Sequence, residues 1–408
     1  MHQIKVAIIA DDLTGAMDAA APFARRKLNV HVVINSENLD TDRISGADIL
    51  SINTNSRHLT AEKSSAVIDR VVSQVSQLNP DVLLFKKIDS TLRGNVVEES
   101  LAAYRAAQMP STIFCPALPA QGRSFENGQV YIDGVLLKET AIGKDERAAA
   151  DVRAVDVLFS QTSIHENVFS LSREDYSELV TGAFHIVGAK TESDLNEIVT
   201  RGLALDKKTM FIGAAGLTEA LAQNLFGNAL ESQCPEILQK QAVFAVGSRT
   251  PEVARQLKQL LSDHPEARYV PVIDAQPVNS LVPGHSSDNT KALVLHATQS
   301  SQSQALDPDK VATAMAFSCE QALIKNNVDL LVATGGDTAM AILDRYSISV
   351  IRVEGEVLPG IVYSRVETPE ISCWLVTKAG GFGPPSLFTD LLDYWYKNPV
   401  ISALKIGT

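Results

Sequence analysis

Apolar residues along the chain occur in short runs that alternate with longer segments of helical periodicity. In the first half, such runs cover residues 6–10, 30–34, 48–52, 82–85, 112–115 and 210–212. A second series covers residues 242–246, 269–273, 292–295, 330–333 and 374–377. Buried strands that alternate with helices are typical of βαβ units. We therefore predict an α/β protein in which each half forms a mostly parallel sheet flanked by helices.

Two segments interrupt this alternation. Residues 127–137 read NGQVYIDGVLL, and an Asp-Gly pair between two short apolar segments predicts a β-hairpin. Residues 225–241 lack strand character and contain Gly, Asn and Pro, which indicates a boundary. Because 408 residues exceed the size at which one hydrophobic core usually stops growing, we predict two domains, residues 1–230 and residues 231–408.

The overall charge narrows the class of partner. A formal net charge of -12 disfavours binding to nucleic acid or to an anionic membrane surface, although a local basic pocket can still hold a small anion. No apolar stretch approaches the roughly 20 residues that cross a bilayer, and the N-terminus does not resemble a signal peptide. The four cysteines, which are far apart, suggest neither zinc nor disulfides. A cytoplasmic protein is the simplest interpretation.

The first candidate chemistry follows the first apolar run. Asp11 and Asp12 stand directly after it, and Thr14 and Gly15 open the next helical segment. Loops that leave the carboxyl ends of parallel strands meet in one crevice, where ligands bind. The alternative is that one of these acids serves only as a helix N-cap, but two adjacent carboxylates repel each other and a cap needs only one.

Three further loops of the first half contain candidate ligand groups. Residues 85–95, FKKIDSTLRGN, contain cations for a substrate carboxylate, and acidic and hydroxyl groups for its hydroxyls. A solvated loop whose Ser or Asp caps the next helix is the alternative. Residues 115–123, CPALPAQGR, add Arg123, and residues 53–57, NTNSR, add another arginine, although an ordinary loop is at least as good an interpretation there. Together these loops could bind one small polyhydroxylated anion.

In the second half, glycine-rich turns follow three of the predicted strands. They are residues 246–251, VGSRTP, residues 334–338, TGGDT, and residues 378–386, KAGGFGPPS. Glycines at a helix start let the backbone approach a phosphate, which the free N–H groups and the helix dipole stabilise. The alternative is that Asp337 and Thr338 simply cap the helix. The chain has neither a GxxxxGK[ST] loop nor GxGxxG after a strand, so the common triphosphatase and dinucleotide motifs are absent.

Eight segments, in order along nearly the whole chain, resemble motifs of the four-carbon acid sugar kinase family. They are IADDLTGA at 9–16, KKIDSTLRGN at 86–95, CPALPAQGR at 115–123, GAAGLTEAL at 213–221, VGSRTPEVARQ at 246–256, ATGGDTA at 333–339, GEVLPG at 355–360 and KAGGFG at 378–383. The resemblance implies an N-terminal domain that binds a sugar acid, a C-terminal domain that binds ATP, and an active site in the cleft between them. It also implies phosphate transfer to the terminal hydroxyl of the acid.

The resemblance assigns residues to these two roles. The family's ATP-contacting motifs correspond to Ser248, Gly335, Gly336, Asp337, Thr338, Gly380 and Gly381. Its sugar-acid motifs correspond to Asp11, Asp12, Lys87, Asp89, Ser90, Arg93 and Arg123. Known substrates in this family include D-threonate, D-erythronate and 3-oxo-tetronates. The 3-oxo-tetronate branch is expected to carry a His- and Pro-rich stretch where residues 139–150 read ETAIGKDERAAA, so D-threonate is favoured.

The mechanism implied is in-line transfer from ATP, with Mg²⁺ bridging the phosphates. Arg93, with Lys87 or Arg123, would hold the carboxylate, and Asp12 or Asp89 would orient or deprotonate the attacking hydroxyl. Asp337 is a third candidate base, although a cap or a Mg²⁺ ligand fits it equally. Alternatives to a kinase are a hydrolase of phosphorylated sugar acids and a nucleotide-gated sensor without turnover. A homodimer is compatible with the sequence, and no metal ligand can be assigned from it.

Overall fold

The computed structural model describes residues 3–37, 39–108, 111–144, 154–162, 164, 167–205, 208–230, 241–279, 292–300, 306–325 and 328–396. The chain divides into two compact units, Met1–Leu230 and Glu231–Thr408. Residues 145–150, half of the 139–150 stretch that favours D-threonate, lie outside the described residues, as does Cys234. The cysteines at 115, 319 and 373 are buried free thiols.

The first unit is a parallel sheet flanked by helices. Its strands are β1 Val6–Ala10, β2 Val30–Val33, β3 Ile49–Asn53, β4 Leu83–Lys87, β5 Thr112–Cys115, β6 Arg123–Glu126, β7 Gln129–Ile132, β8 Val135–Leu136, β9 Val168–Leu171, β10 Phe184–Val187 and β11 Met210–Gly213. Its helices are α1 Leu13–Ala24, α2 Ala61–Leu78, α3 Val96–Ala107, α4 Val155–Ser160, α5 Glu192–Leu205 and α6 Ala215–Phe226. The parallel strands lie in the order β2-β3-β1-β4-β11-β5-β10-β9.

The predicted hairpin is present beside this sheet. Strands β6, β7 and β8 form a separate antiparallel sheet. Ile132 pairs with Val135, so that Asp133 and Gly134 form a two-residue turn, with φ of 49° and 79° respectively. Positive φ at both positions is what a type I′ turn requires, and Asp-Gly adopts it at low cost.

The second unit is a mixed sheet with helices. Its strands are β12 Gln241–Val246, β13 Arg268–Ile273, β14 Ala292–Thr298, β15 Val328–Thr334, β16 Val350–Leu358, β17 Ile361–Glu367 and β18 Ser372–Lys378. Its helices are α7 Pro251–Asp263, α8 Pro308–Lys325, α9 Gly336–Arg345 and α10 Leu387–Tyr396. In the order β13-β14-β12-β15-β18-β17-β16, the pairs from β13 to β18 are parallel, whereas β16, β17 and β18 pair antiparallel.

The predicted fold class, two α/β domains with mostly parallel sheets, is confirmed. Strands β1, β4, β5 and β12 are buried along almost their whole length, as expected for parallel strands covered on both faces. In the second unit the core includes Phe244, Val332 and Phe388, which join strands to helix α10. Among the described residues, no helix combines the length and apolar character needed to cross a membrane.

Candidate functional site

In the first unit, the strands that carry the predicted ligand loops end side by side. Ala10 at the end of β1 pairs with Asn53 of β3 and with Lys87 of β4. Gly213 of β11 pairs in turn with Lys87 and with Cys115 of β5. Because the strands are parallel and in register, the four candidate loops leave the sheet at one edge. We call the charged side chains there the charged edge: Asp11, Asp12, Asp18, Arg57, Lys87, Asp89, Arg93 and Arg123.

Arg57 is the centre of the charged edge. Its guanidinium makes a bidentate pair with Asp11 (Nε–Oδ2 2.6 Å, Nη2–Oδ1 3.0 Å) and donates through Nη1 to Asp12 at 2.8 Å. Asp89 Oδ1 lies 3.8 Å from Nη2. Burial opposes the charge on Arg57, but Asp11 and Asp12 outweigh it and raise the pKa well above its ordinary value. One arginine, from a third loop, therefore joins the acids of two loops.

Asp12 both caps α1 and belongs to this network. Its carboxylate accepts from the Gly15 N–H at 2.9 Å and from the Thr14 hydroxyl at 2.7 Å. Burial by itself would raise the pKa of Asp12, but Arg57 and Lys87 together bring it below its ordinary value. The capping interpretation is thus correct for Asp12 but incomplete, since the same carboxylate also pairs with Arg57.

Asp89 is held by its own loop. Both of its oxygens accept from Arg93, at 2.7 and 3.0 Å, and Oδ2 also accepts from the backbone and hydroxyl of Thr91. Burial favours a raised pKa, but Arg93 and Arg57 hold the pKa of Asp89 well below its ordinary value. The next helix, α3, has Asn95 as its N-cap without a side-chain cap bond, so neither Asp89 nor Ser90 acts as that cap.

The two lysines of this loop have different roles. Lys86 is buried and pairs with the buried Glu99 of α3 at 2.8 Å, so it is a core group and not a ligand for a substrate carboxylate. Lys87 Nζ donates to the Ile88 carbonyl at 2.9 Å and, within the described residues, has no carboxylate in ion-pair contact. A Cβ added at Gly15 would lie 2.5 Å from Asp12 Oδ1 and 3.3 Å from this ammonium. The glycine therefore leaves room for the capping carboxylate of Asp12 and for Lys87 beside helix α1.

Arg93 and Arg123 complete the charged edge. Arg123 Nη1 donates to the Ser90 hydroxyl, which ties the end of the 115–123 loop to the 86–95 loop. Burial lowers the pKa of Arg123, but an arginine starts so high that it stays charged. The Arg93 side chain is 39% exposed. These guanidiniums are therefore the cations most accessible to a ligand.

In the second unit, the three glycine turns also meet at one edge. Thr334 at the end of β15 pairs with Val246 of β12 and with Lys378 of β18. The turns that follow these three neighbouring parallel strands thus start at the same level. We call this set, Gly247, Ser248, Gly335, Gly336, Asp337, Thr338, Gly380 and Gly381, the glycine edge.

Two of these glycines are required by close contacts. A Cβ at Gly247 would lie 1.9 Å from Thr338 Oγ1, and a Cβ at Gly380 would lie 2.4 Å from Ser248 Oγ. Gly335, with a φ of 92°, is itself the N-cap of α9, and no side chain makes a capping hydrogen bond there. Asp337 and Thr338 therefore do not cap the helix. Nothing lies within 4 Å of a Cβ added at Gly381, so packing does not explain this glycine.

Helix α7 holds the third turn in place. Pro251 occupies its first turn, as predicted, and the Thr250 hydroxyl caps it through the Val253 N–H. Gln256 Nε2 then donates to the carbonyls of residues 382, 383 and 384, at 2.9 to 3.1 Å. The backbone of the 378–386 turn is therefore fixed by contacts from another turn and its helix.

Lys378 is a buried cation at the glycine edge that the sequence reasoning did not single out. Its ammonium donates to the Gly380 carbonyl at 3.0 Å and lies 5.4 Å from the centre of the Phe388 ring. Burial lowers its pKa to about 8. The available sequence signal was its position, at the end of a strand and directly before a glycine turn.

Arg57 was noted in the sequence only as one arginine of a loop, and Asp18 was not noted at all. No motif identifies Arg57 as the link, because its partners come from separate loops.

For metals, the described residues contain no group of three His, Cys, Asp or Glu side chains that could hold an ion. At the charged edge, Asp11, Asp12 and Asp89 pair with arginines instead.

Two family models match the chain. A sugar-binding N-terminal domain matches residues 6–221, and a nucleotide-binding C-terminal domain matches residues 243–388. The first covers the charged edge, and the second covers the glycine edge.

Curated proteins with different substrate names are about equally similar. A D-threonate kinase of Salmonella typhimurium is 26% identical, covering 96% of this chain and 98% of its own. A 3-oxo-tetronate kinase of Brucella melitensis is 24% identical over 95% of each chain. A D-erythronate kinase of Heliobacterium modesticaldum is 24% identical over 95% of this chain and 96% of its own. A solved Haemophilus influenzae structure has a TM-score of 0.72 at 19% identity, covering 96% of this chain and 100% of its own, which shows the fold alone.

Proposed function

Because the chain belongs to the four-carbon acid sugar kinase family, we propose that it transfers the γ-phosphate of ATP to the terminal hydroxyl of a four-carbon sugar acid. The observation that carries this proposal is the buried ammonium of Lys87, which has no carboxylate in ion-pair contact among the described residues. A buried charge is costly unless it is paired. An anionic ligand at the charged edge would supply the missing partner.

Arg93 and Arg123 hold the substrate carboxylate in this proposal. The Arg93 side chain is partly exposed, and Arg123 is linked to the same loop through Ser90. Guanidinium groups suit a carboxylate because they can donate two parallel hydrogen bonds to it. Lys87 then lies at the end of the substrate that carries the attacking hydroxyl. Its point charge stabilises the phosphoryl group there during transfer.

The paired acids orient the substrate and its cations. Asp89 already accepts from Arg93 and Thr91, so we assign it the role of fixing Arg93. Asp12 lies at the start of α1 between Arg57 and Thr14 and orients a substrate hydroxyl. Asp11, bound bidentate by Arg57, keeps that arginine in place.

The glycine edge binds the triphosphate in this proposal. The contacts of Gly247 and Gly380 leave no room for a Cβ, and the uncapped start of α9 offers N–H groups to a phosphate. Lys378 adds a positive charge close to the same turns. Since the described residues form no metal site of their own, magnesium would enter as the counter-ion of ATP, held chiefly by phosphates and water.

We propose D-threonate as the acid. The relatives named D-threonate kinase include one that is 26% identical, slightly more than those named for D-erythronate or 3-oxo-tetronate. The test compares all three classes of acid.

The test is ADP release with MgATP and a panel of D-threonate, L-threonate, D-erythronate, L-erythronate and 3-oxo-tetronates, followed by mass detection of the product. We expect one acid to gain a single phosphate at its terminal hydroxyl. ADP release that is independent of any acid contradicts the proposal. Binding of both ligands without ADP release supports a sensor instead, and phosphate release from a phosphorylated acid without ATP supports a hydrolase.

A further inference from the structure

Helix α1 is buried along most of its length, with one polar stripe. Of its residues, Leu13, Gly15, Ala16, Met17 and all positions from Ala19 to Ala24 are buried. Thr14 and Asp18 are the members that retain exposure. They are four residues apart and therefore lie on the same face of the helix, one above the other. Because the rest of the helix is buried, the carboxylate of Asp18 does not serve to keep an exposed helix soluble, and another role must explain it.

The surroundings of Asp18 belong to the charged edge. The charged groups that act on it are Lys87 at the end of β4, Asp12 at the start of α1, and Arg123 at the start of β6. Its stripe partner Thr14 donates to Asp12. Asp18 therefore lies on the face of α1 that also carries Thr14, within electrostatic range of Lys87 and Arg123.

Asp18 differs from the other acids there in having no hydrogen-bond partner. Asp11 and Asp12 pair with Arg57, and Asp89 pairs with Arg93. Within the part of the chain that the structure describes, Asp18 accepts no hydrogen bond and forms no ion pair. Both of its oxygens are therefore available to a ligand, whereas the oxygens of the other acids are largely used by the protein.

We infer that Asp18 is the general base that accepts the proton of the attacking hydroxyl, an inference that rests on the proposed function. In this step the bond between the γ-phosphorus and the oxygen bridging it to the β-phosphate breaks. A new bond forms between that phosphorus and the substrate oxygen. The hydroxyl proton passes to the Asp18 carboxylate and then to solvent, and ADP leaves with the electron pair of the broken bond.

The raised pKa of the Asp18 carboxyl agrees with its role as general base. Burial raises the pKa of Asp18 above its ordinary value, since the nearby Lys87 does not compensate fully and Asp12 adds to the rise. A base with a raised pKa accepts a proton more readily than the acids held by arginines. A base works in its deprotonated form, so the rate should fall as the pH decreases through the raised pKa.

The experiment compares the wild-type enzyme with Asp18→Asn, Asp18→Glu and Asp69→Asn, using the acid that the panel identifies. Asp69 is an exposed aspartate on α2 and serves as the matched control. We expect Asp18→Asn to lower kcat by about 10²-fold or more, with KM for both substrates within about threefold. Its acidic limb in the pH–rate profile should disappear. Asp18→Glu should recover part of the rate and the limb, and Asp69→Asn should match the wild type.

The outcomes separate the inference from the proposed function. A wild type that phosphorylates no acid overturns the proposed function, and this inference with it. An active wild type with a fully active Asp18→Asn variant overturns the inference alone. So does a variant that keeps its kcat and its acidic limb while KM for the acid rises, because Asp18 would then only bind substrate. If Asp18→Asn does not fold, as judged by thermal unfolding, Asp18→Ser provides the same comparison.

Discussion

The charged edge and the glycine edge lie at corresponding places in the two units but are built differently. At the charged edge, Arg57, Arg93 and their acids hold one another through ion pairs of 2.6 to 3.0 Å. At the glycine edge, the decisive positions are those where a side chain is missing, at Gly247 and Gly380. The first edge depends on charges that must remain paired, and the second depends on space that must remain empty.

This difference predicts different responses to mutation. Removing a paired side chain from the charged edge leaves a buried partner without its counter-charge, which costs both stability and activity. Adding a methyl group to the glycine edge displaces the backbone that would contact a phosphate, which should affect one ligand more than the fold. The following variants test this contrast.

The largest effect is expected for Arg57→Met. Asp11 and Asp12 would lose the guanidinium that holds them, so we expect a loss of about 3–5 kcal/mol in the free energy of unfolding and no measurable turnover. Urea unfolding measures the first, and ADP release the second. Arg255→Met, which breaks an exposed pair with Glu252, is the control and should cost at most about 1 kcal/mol. Equal losses in the two variants would contradict a central role for Arg57.

A second comparison separates the two ends of the acid. Lys87→Met should lower kcat by about 10²-fold, because Lys87 is assigned to the phosphoryl group during transfer. Arg123→Met should instead raise KM for the acid by about tenfold or more, because it is assigned to the carboxylate. Steady-state kinetics at saturating ATP measures both. If Lys87→Met changed only KM, the carboxylate would lie at Lys87 and the assignment would be reversed.

Gly247→Ala tests the empty space of the glycine edge. The new Cβ would clash with the Thr338 hydroxyl, so the Thr338 side chain or the turn must shift, and we expect KM for ATP to rise by about tenfold or more. Binding of the sugar acid, measured by calorimetry without nucleotide, should remain within about twofold and serves as the internal control. Equal weakening of both ligands would show that the variant damages the fold as a whole.

The smallest effect concerns Lys378, the cation of the glycine edge. With a pKa of about 8, it loses its charge as the pH rises from 7 to 9. KM for ATP should then increase up to about tenfold. Lys378→Met should have a raised KM at pH 7 and little further change with pH, and Lys258→Met, on the exposed face of α7, should keep the wild-type pH dependence. An unchanged KM in Lys378→Met would exclude Lys378 from nucleotide binding.

Strands that are buried on both faces were predictable from the sequence. Predicted residues 6–10 and 112–115 coincide with β1 and β5, because continuous apolar runs indicate parallel strands. The antiparallel strand β16 was not predicted, since its exposed positions include the charged Arg352 and interrupt the apolar run. Such a strand is half-buried and is stabilised by its pairing with β17, which the sequence does not reveal.

The composition of the charged edge was visible in the sequence, but its pairing was not. Loop residues such as Asp12 and Arg93 follow predicted strands, and strand ends of one sheet meet at one edge. The sequence could not tell that Arg57 joins Asp11 to Asp12, or that Lys86 turns to Glu99 while Lys87 does not. These choices depend on contacts between loops and helices that are far apart along the chain.

The adjacent lysines at the end of β4 also limit how the protein can vary in length. Successive side chains of a strand point to opposite faces of a sheet, and here Lys86 reaches Glu99 of α3 while Lys87 lies beside Gly15 of α1. Inserting or deleting one residue within β4 would exchange the two faces. A deletion before Lys86 would put Lys87 against Glu99 and Ile88 beside α1, so the ammonium beside α1 would be lost. An insertion there would put Lys86 beside α1 and leave Glu99 buried without its cation. Natural insertions and deletions should therefore be tolerated in the loops of this unit outside the charged edge but not within β4.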